Sequence, residues 1–202
     1  MSQAKALDAG TDWVLADAFR PAAPAALTDA ALVAATALVI ALCARVVIPL
    51  PHTPVPITGT TLAVLYSGAW LGPRRGAASV ALYLLLGGLG LPFFAAGASG
   101  WTHFIGATGG YLVGFLPAAW LTGALARRGW DRTPFRALGM MLLGSAVIFA
   151  FGLAVLSFYV PAGTLLEKGL TPFLMGDLAK SCLSAGLLPM GRRLVGRGGA
   201  NA

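Results

Sequence analysis

The 202-residue chain is 57% hydrophobic and only 10% charged, with a mean hydropathy of +0.80 and a net charge of +7. A soluble domain carries about 25% charged residues, so the composition excludes a soluble globular core and fits one polytopic membrane domain. The basic residues stand in short clusters between apolar runs, which argues against nucleic acid as the reason for the positive charge.

Residues 1–29 read as a cytoplasmic extension. They carry Asp8, Asp12, Asp17 and Asp29 and lack a basic stretch followed by an apolar core, so no cleavable signal is expected. Trp13-Val14-Leu15 suggests a short interfacial turn. Six apolar segments follow, near 28–49, 58–71, 76–91, 109–125, 137–160 and 171–190. Thr28-Asp29 suits a helix N-cap, Pro117 predicts a kink in the fourth segment, and Pro172 suits a first helical turn. The second segment is short for a full crossing. Cys43 and Cys182 lie in apolar segments without metal-ligand spacing and read as small buried residues.

Charge placement orients the chain. With the N-terminus inside, the inner segments hold Arg74, Arg75, Arg127, Arg128, Arg132, Arg136, Arg192, Arg193 and Arg197, and the outer loops only Arg45 and Lys168. The positive-inside rule expects this asymmetry. The expected fold is therefore all-α, with six transmembrane helices and both termini cytoplasmic. Residues 30–193 form the membrane domain and 194–202 a basic cytoplasmic tail.

Asp177 and Lys180 lie in the sixth segment, where each ionised side chain costs roughly 2.5–3.5 kcal/mol at mid-bilayer. With Ser181 and Ser184 they fall at helical spacing on one face. That stripe must face protein or a ligand, either as an ion pair locking two helices or as a binding site. Intramembrane charges point first to a site. Two outer loops are unlike ordinary connectors. Residues 48–58 carry Pro49, Pro51, Pro54 and Pro56, which stiffen the chain. Residues 92–111 are rich in Gly and aromatics, including Phe93, Trp101 and Tyr111. Those rings suit either an interfacial belt or the walls of an apolar site.

Catalytic chemistry finds little support. Gly106-Ala-Thr-Gly-Gly-Tyr111 lacks the Gly-Lys-Ser/Thr ending of a phosphate loop. An aspartic dyad needs a second deep carboxylate, and His52 and His103 lie in outer loops away from any serine nucleophile context. A channel filter is not evident either. A site for a small molecule with polar and apolar parts remains.

Four motifs in order, Ile48-Pro-Leu-Pro-His-Thr-Pro-Val-Pro-Ile-Thr58, Leu71-Gly-Pro-Arg-Arg-Gly76, Gly106-Ala-Thr-Gly-Gly-Tyr-Leu-Val-Gly-Phe115 and Gly176-Asp-Leu-Ala-Lys180, resemble the biotin-specific S component of energy-coupling-factor (ECF) transporters. The resemblance covers about residues 30–193. It implies the ECF S-component fold, biotin captured with high affinity from outside, and uptake across a bacterial cytoplasmic (inner) membrane. It also implies a non-enzymatic subunit energised by a membrane coupling subunit and two ABC-type ATPases, with ATP used only through those partners and no cofactor or metal of its own. The Pro-rich loop is the implied lid, with Thr53 and Pro54 at the ligand. Asp177 and Lys180 are implied ligand contacts, and Thr108, Gly109, Gly110, Tyr111, Trp101 and Phe93 the implied pocket. His52 stands where that family often has Phe.

Biotin suits such a site. Its ureido head offers two N–H donors and one acceptor, and its tail is a carboxylate. Asp177 can accept from the ureido, and Lys180 can donate to ureido oxygen or carboxylate. The sequence leaves open which end meets the pair, with Lys180 favoured as the charged anchor and Asp177 as the group orienting it. In helix one, Ala30, Ala34 and Ala37 recur at helical spacing, which permits close helix approach. By resemblance they dock the coupling subunit, with intramolecular packing as the alternative. A second copy of the chain is another open partner. Competing functions are an S component for another vitamin and an intramembrane hydrolase using Asp177.

Overall fold

Proline and glycine positions decide where the helices begin. The computed structural model describes residues 14–16 and 24–198. Among these, six helices have twelve residues or more: α1 Ala25–Cys43, α2 Thr60–Leu71, α3 Pro73–Gly88, α4 Gly109–Arg127, α5 Pro134–Leu156 and α6 Thr171–Gly198. Pro24 precedes α1, Pro73 and Pro134 open α3 and α5, and Gly72 (φ +83°) makes the tight α2–α3 turn. Single-turn helices at Thr102–Ile105 and Leu165–Gly169 lie in the connections.

Several boundaries differ from the sequence expectation, with α3 and α5 each opening three residues early and α5 ending four residues early. α1 starts a turn before Thr28-Asp29, and the Thr28 hydroxyl bonds back to the Pro24 carbonyl (3.4 Å) instead of capping. α1 also stops at Cys43, short of Pro49. The chain there becomes a two-residue strand, β1 Val47–Ile48, paired antiparallel with β2 Ile57–Thr58. The Pro-rich segment is thus the tip of a hairpin. Finally, α6 passes Pro189 and runs beyond residue 190, because its last described side chain, Arg192, is buried against protein.

α4 is the central helix, packed against α2, α3 and α5, with α6 on α5 and α1 on α3. The α2–α4 contact is backbone to backbone: a Cβ on Gly68 would fall 2.1 Å from the Ala119 carbonyl oxygen. Small-residue approach of this kind is how helices associate where water supplies no hydrophobic drive. By length and composition α1, α4 and α5 are able to cross a membrane, and α2 is a shorter apolar helix.

The arginine-bearing end is closed by polar and apolar ties. Arg75 on α3 meets Asp29 on α1 (3.5 Å), and Arg192 donates to Asp131 in the α4–α5 connection (2.5 Å). Burial pushes the Asp131 carboxyl above its ordinary range, while the Arg192 guanidinium pulls it back. Val14, Leu15 and Ala16 are buried as well. Val14 methyls lie under Gly72, and the Leu15 side chain reaches Gly191 of α6. Leu15 and Ala16 do turn, in 3-10 geometry, and the described part of the expected interfacial turn packs into protein. Trp13, the rest of residues 1–23 and residues 199–202 lie outside the described residues.

Candidate ligand-binding site

A cavity of about 330 Å³ opens between the β1–β2 hairpin, the residue 92–108 loop and helices α2 to α6. Drug-sized ligands occupy pockets of about 300–1,000 Å³ that are mostly apolar with a few placed polar groups. The walls here follow that pattern: Tyr83, Phe94, Leu112, Phe115, Ile148, Phe149 and Phe173 are apolar or aromatic. The lining carries one carboxylate, Asp177, and one amine, Lys180.

The two charges are held from different sides. Ser145 on α5 donates its hydroxyl to Asp177 Oδ1 at 2.9 Å. Lys180 Nζ donates to the Thr58 carbonyl at 2.8 Å and to Thr61 Oγ1 at 3.3 Å. No ion pair joins Asp177 to Lys180 among the described residues, so the expected direct orientation of Lys180 by Asp177 is not what the structure has. Thr58 and Thr61 orient the amine, and Ser145 orients the carboxylate. Among the described residues, Asp177 Oδ2 and the third ammonium proton have no hydrogen-bond partner. Ser181 and Ser184 complete the stripe but are buried, and Ser184 donates to the Lys180 carbonyl (2.7 Å).

The hairpin is latched over the cavity. Thr53 Oγ1 donates to the Lys168 carbonyl at 2.6 Å and accepts from the Val55 amide at 3.2 Å. Val55, 6% exposed, is pressed into the cavity wall with Pro54 and Pro56. On the far side of the same connection, the Tyr111 hydroxyl donates to the Gly169 carbonyl at 2.8 Å.

Of the residues expected at the site, Asp177, Lys180, Tyr111, Thr108 and Pro54 line the cavity. Five others do not. Gly109 and Gly110 are packing glycines, since a Cβ on them would meet the Phe104 carbonyl at 2.0 Å and the Phe151 carbonyl at 2.2 Å. Phe93 stacks behind the wall on Tyr83, and Trp101 lies half exposed over Gly88. Thr53 is the latch. Among the expected partner residues, Ala30 and Ala34 are exposed, but Ala37 is 1% exposed and turned with Ile40 and Ala41 into the bundle. It is a packing residue, because α1 leans that face on its neighbours.

The sequence reading missed Tyr83, Phe115, Phe149 and Phe173, which sit in apolar runs with nothing to separate a cavity wall from a lipid face, whereas Phe94 belongs to the 92–111 loop it had offered as a wall. It also missed Thr58 and Thr61. The run Thr58-Gly-Thr-Thr61 before an apolar helix was the available signal.

The BioY family model matches residues 16–197. The chain belongs to the BioY family. Among BioY proteins, the biotin transporter BioY of Thermotoga maritima is 39% identical over 139 residues, 68% of this chain and 81% of that one. Biotin transporter BioY of Rhizobium etli is 36% identical over 157 residues, 74% and 84% of the two chains. The solved S-component for biotin from an ECF-type ABC transporter superposes with a TM-score of 0.75 at 28% identity, covering 83% of this chain and 92% of that one.

Proposed function

We propose that this BioY protein takes up biotin, as its relatives are named for doing. One observation supports the reading above all: an apolar cavity of about 330 Å³ whose lining offers a carboxylate oxygen and an ammonium proton still unbonded. That donor–acceptor set matches the polar ends of a ligand with an otherwise apolar body. Asp177 and Lys180 are the proposed contacts, with Tyr111, Thr108 and Pro54 in the wall. The latched hairpin is the proposed lid, closing the cavity from water so that the polar contacts gain strength. The hydrolase alternative is not favoured, because the lining holds one carboxylate where an aspartic dyad needs two.

The proposal extends to the assembly. α2, α3 and α6 cross with α1, α4 and α5 to give six spans in the bacterial cytoplasmic membrane, both termini inside, as the arginine distribution favours. A membrane coupling subunit and ABC-type ATPases supply the energy, docking against Ala30 and Ala34 of α1. Uptake of labelled biotin by biotin-requiring cells lacking their own transporter tests the function, with a coupling module co-expressed. Uptake competed by unlabelled biotin but not by thiamin or riboflavin is expected. No uptake above background, with the protein present in the membrane, would overturn it.

A further inference from the structure

The helical bundle carries a second concavity that shares no residue with the ligand cavity. A groove of about 490 Å³ runs between α3 and α4, walled by Ala77, Ala78 and Ala81 on one side and by Leu116, Pro117 and Trp120 on the other. Its walls expose only apolar atoms, and Trp120 is 54% exposed. The sequence builds it simply. The three alanines fall on one face of α3, and their small side chains leave room beside the indole.

Charge at the foot of the groove decides what fills it. Arg74 stands on the alanine face of α3, about 4.5 Å of helix rise before Ala77. Arg127 ends α4, two turns beyond Trp120 and on the same face. The α2–α3 turn brings these helix ends together. A Cβ on Gly123 would meet the Pro73 backbone nitrogen at 2.4 Å, and a Cβ on Gly72 would lie 3.3 Å from Arg127 Nε. That Nε is buried with no hydrogen-bond acceptor, and the exposed Arg74 has no partner among the described residues. Buried donors are almost always paired. The described carboxylates at this end are engaged elsewhere, Asp29 with Arg75 and Asp131 with Arg192. A second copy of the chain, related by a twofold axis along the bundle, would set these arginines against their own like charges. An acidic phospholipid meets both features, with an acyl chain for the apolar walls and a phosphate for the guanidinium groups.

We propose that the α3–α4 groove binds one acidic phospholipid of the leaflet that the arginine-bearing end meets. The acyl chain lies against Ala77, Ala78, Ala81 and Trp120, and Arg74 and Arg127 hold the phosphate. The site rests on the membrane placement given above and not on the biotin reading. Phosphatidylglycerol and phosphatidylcholine with brominated acyl chains test it, because bromine quenches tryptophan fluorescence at contact. Phosphatidylcholine has the same phosphate, but its choline neutralises the charge. The full chain is reconstituted into phosphatidylcholine vesicles holding a minor fraction of one brominated lipid or the other. Comparison with Trp120→Phe isolates the signal from the groove.

In the wild type, brominated phosphatidylglycerol should quench Trp120 with an apparent affinity about fivefold or more above brominated phosphatidylcholine, the range of one arginine at a membrane surface. Arg74→Gln and Arg127→Gln should each lower that preference, and the double variant should remove it. Arg74 is exposed, so its substitution leaves the fold intact. Arg136→Gln, at the same end on α5 but outside the groove, should leave the preference unchanged. Equal quenching by the two lipids in the wild type overturns the proposal, as does a preference that the double variant keeps. Trp120 quenching that fades as the protein-to-lipid ratio rises would put a second copy in the groove and overturn it too. Brominated lipid that quenches no tryptophan at all would instead remove the membrane placement on which the site rests.

Discussion

Gly152→Ala is the substitution whose effect on binding the structure specifies most fully, although Gly152 does not line the cavity. A Cβ there would fall 2.3 Å from a carbon of the Tyr111 ring, and three ring atoms lie within 2.5 Å. Carbon atoms pack best at about 3.5–4.0 Å, so the ring must move by more than an ångström. Its retreat is restrained, because the hydroxyl is bonded to the Gly169 carbonyl. The ring is left to move toward the cavity it lines. Overpacking costs about 1–3 kcal/mol, and losing the hydroxyl bond about 0.5–1.5 kcal/mol more. Biotin affinity should fall at least tenfold, since about 1.4 kcal/mol of lost binding suffices. Thermal unfolding in detergent and equilibrium binding measure the two effects. Adding Tyr111→Ala should relieve the clash, making the double variant more stable than the sum of the singles implies. Gly152→Ala with unchanged affinity and stability would refute the packing argument.

Other expectations follow from the ties around the cavity. Asp131→Asn removes the carboxylate that the buried Arg192 donates to and should destabilise the fold by about 1–3 kcal/mol, read as a lower unfolding temperature. Because Arg192 lies on the helix that carries Asp177 and Lys180, added biotin should recover part of that loss. Thr53→Val removes the 2.6 Å bond that latches the hairpin to the Lys168 carbonyl and should speed biotin release several-fold. Stopped-flow dissociation checks it, and an unchanged release rate would mean the hairpin is not the lid. Leu15→Asp puts a charge under Gly191, in a site 7% exposed, and should destabilise by several kcal/mol. Wild-type stability in that variant would show that residues 14–16 are not docked.

What the sequence revealed, and what it hid, divides along physical lines. Pro and Gly act locally, so Pro172 marked the start of α6, whereas Pro73 and Pro134 open helices that the sequence reading began three residues later, at Gly76 and Ala137. Charges are costly in an apolar run, so Asp177 and Lys180 were visible from their position alone. Their partners were not, because Ser145, Thr58 and Thr61 lie 32, 122 and 119 residues away from them in sequence. Aromatic walls were invisible for a different reason: Phe115 and Phe149 face the cavity, Phe151 is 44% exposed on the outer surface, and all three sit in equally apolar context. Glycines misled in one place. Gly109 and Gly110 resemble a ligand-cradling loop in sequence, yet they let α4 touch Phe104 and α5 at backbone distance. The α1 alanines were only partly legible, since small residues serve an internal contact at Ala37 as readily as an exposed face at Ala34.

Equilibrium binding of labelled biotin to the purified protein tests the central claim most directly, with Asp177→Asn and Lys180→Ala alongside. Saturable, tight binding by the wild type is expected. Each variant should lose about tenfold or more, because each removes a charged hydrogen bond of roughly 1.5–3 kcal/mol. Absence of biotin binding by a folded wild type, or full binding by both variants, would contradict the assignment of this cavity to biotin.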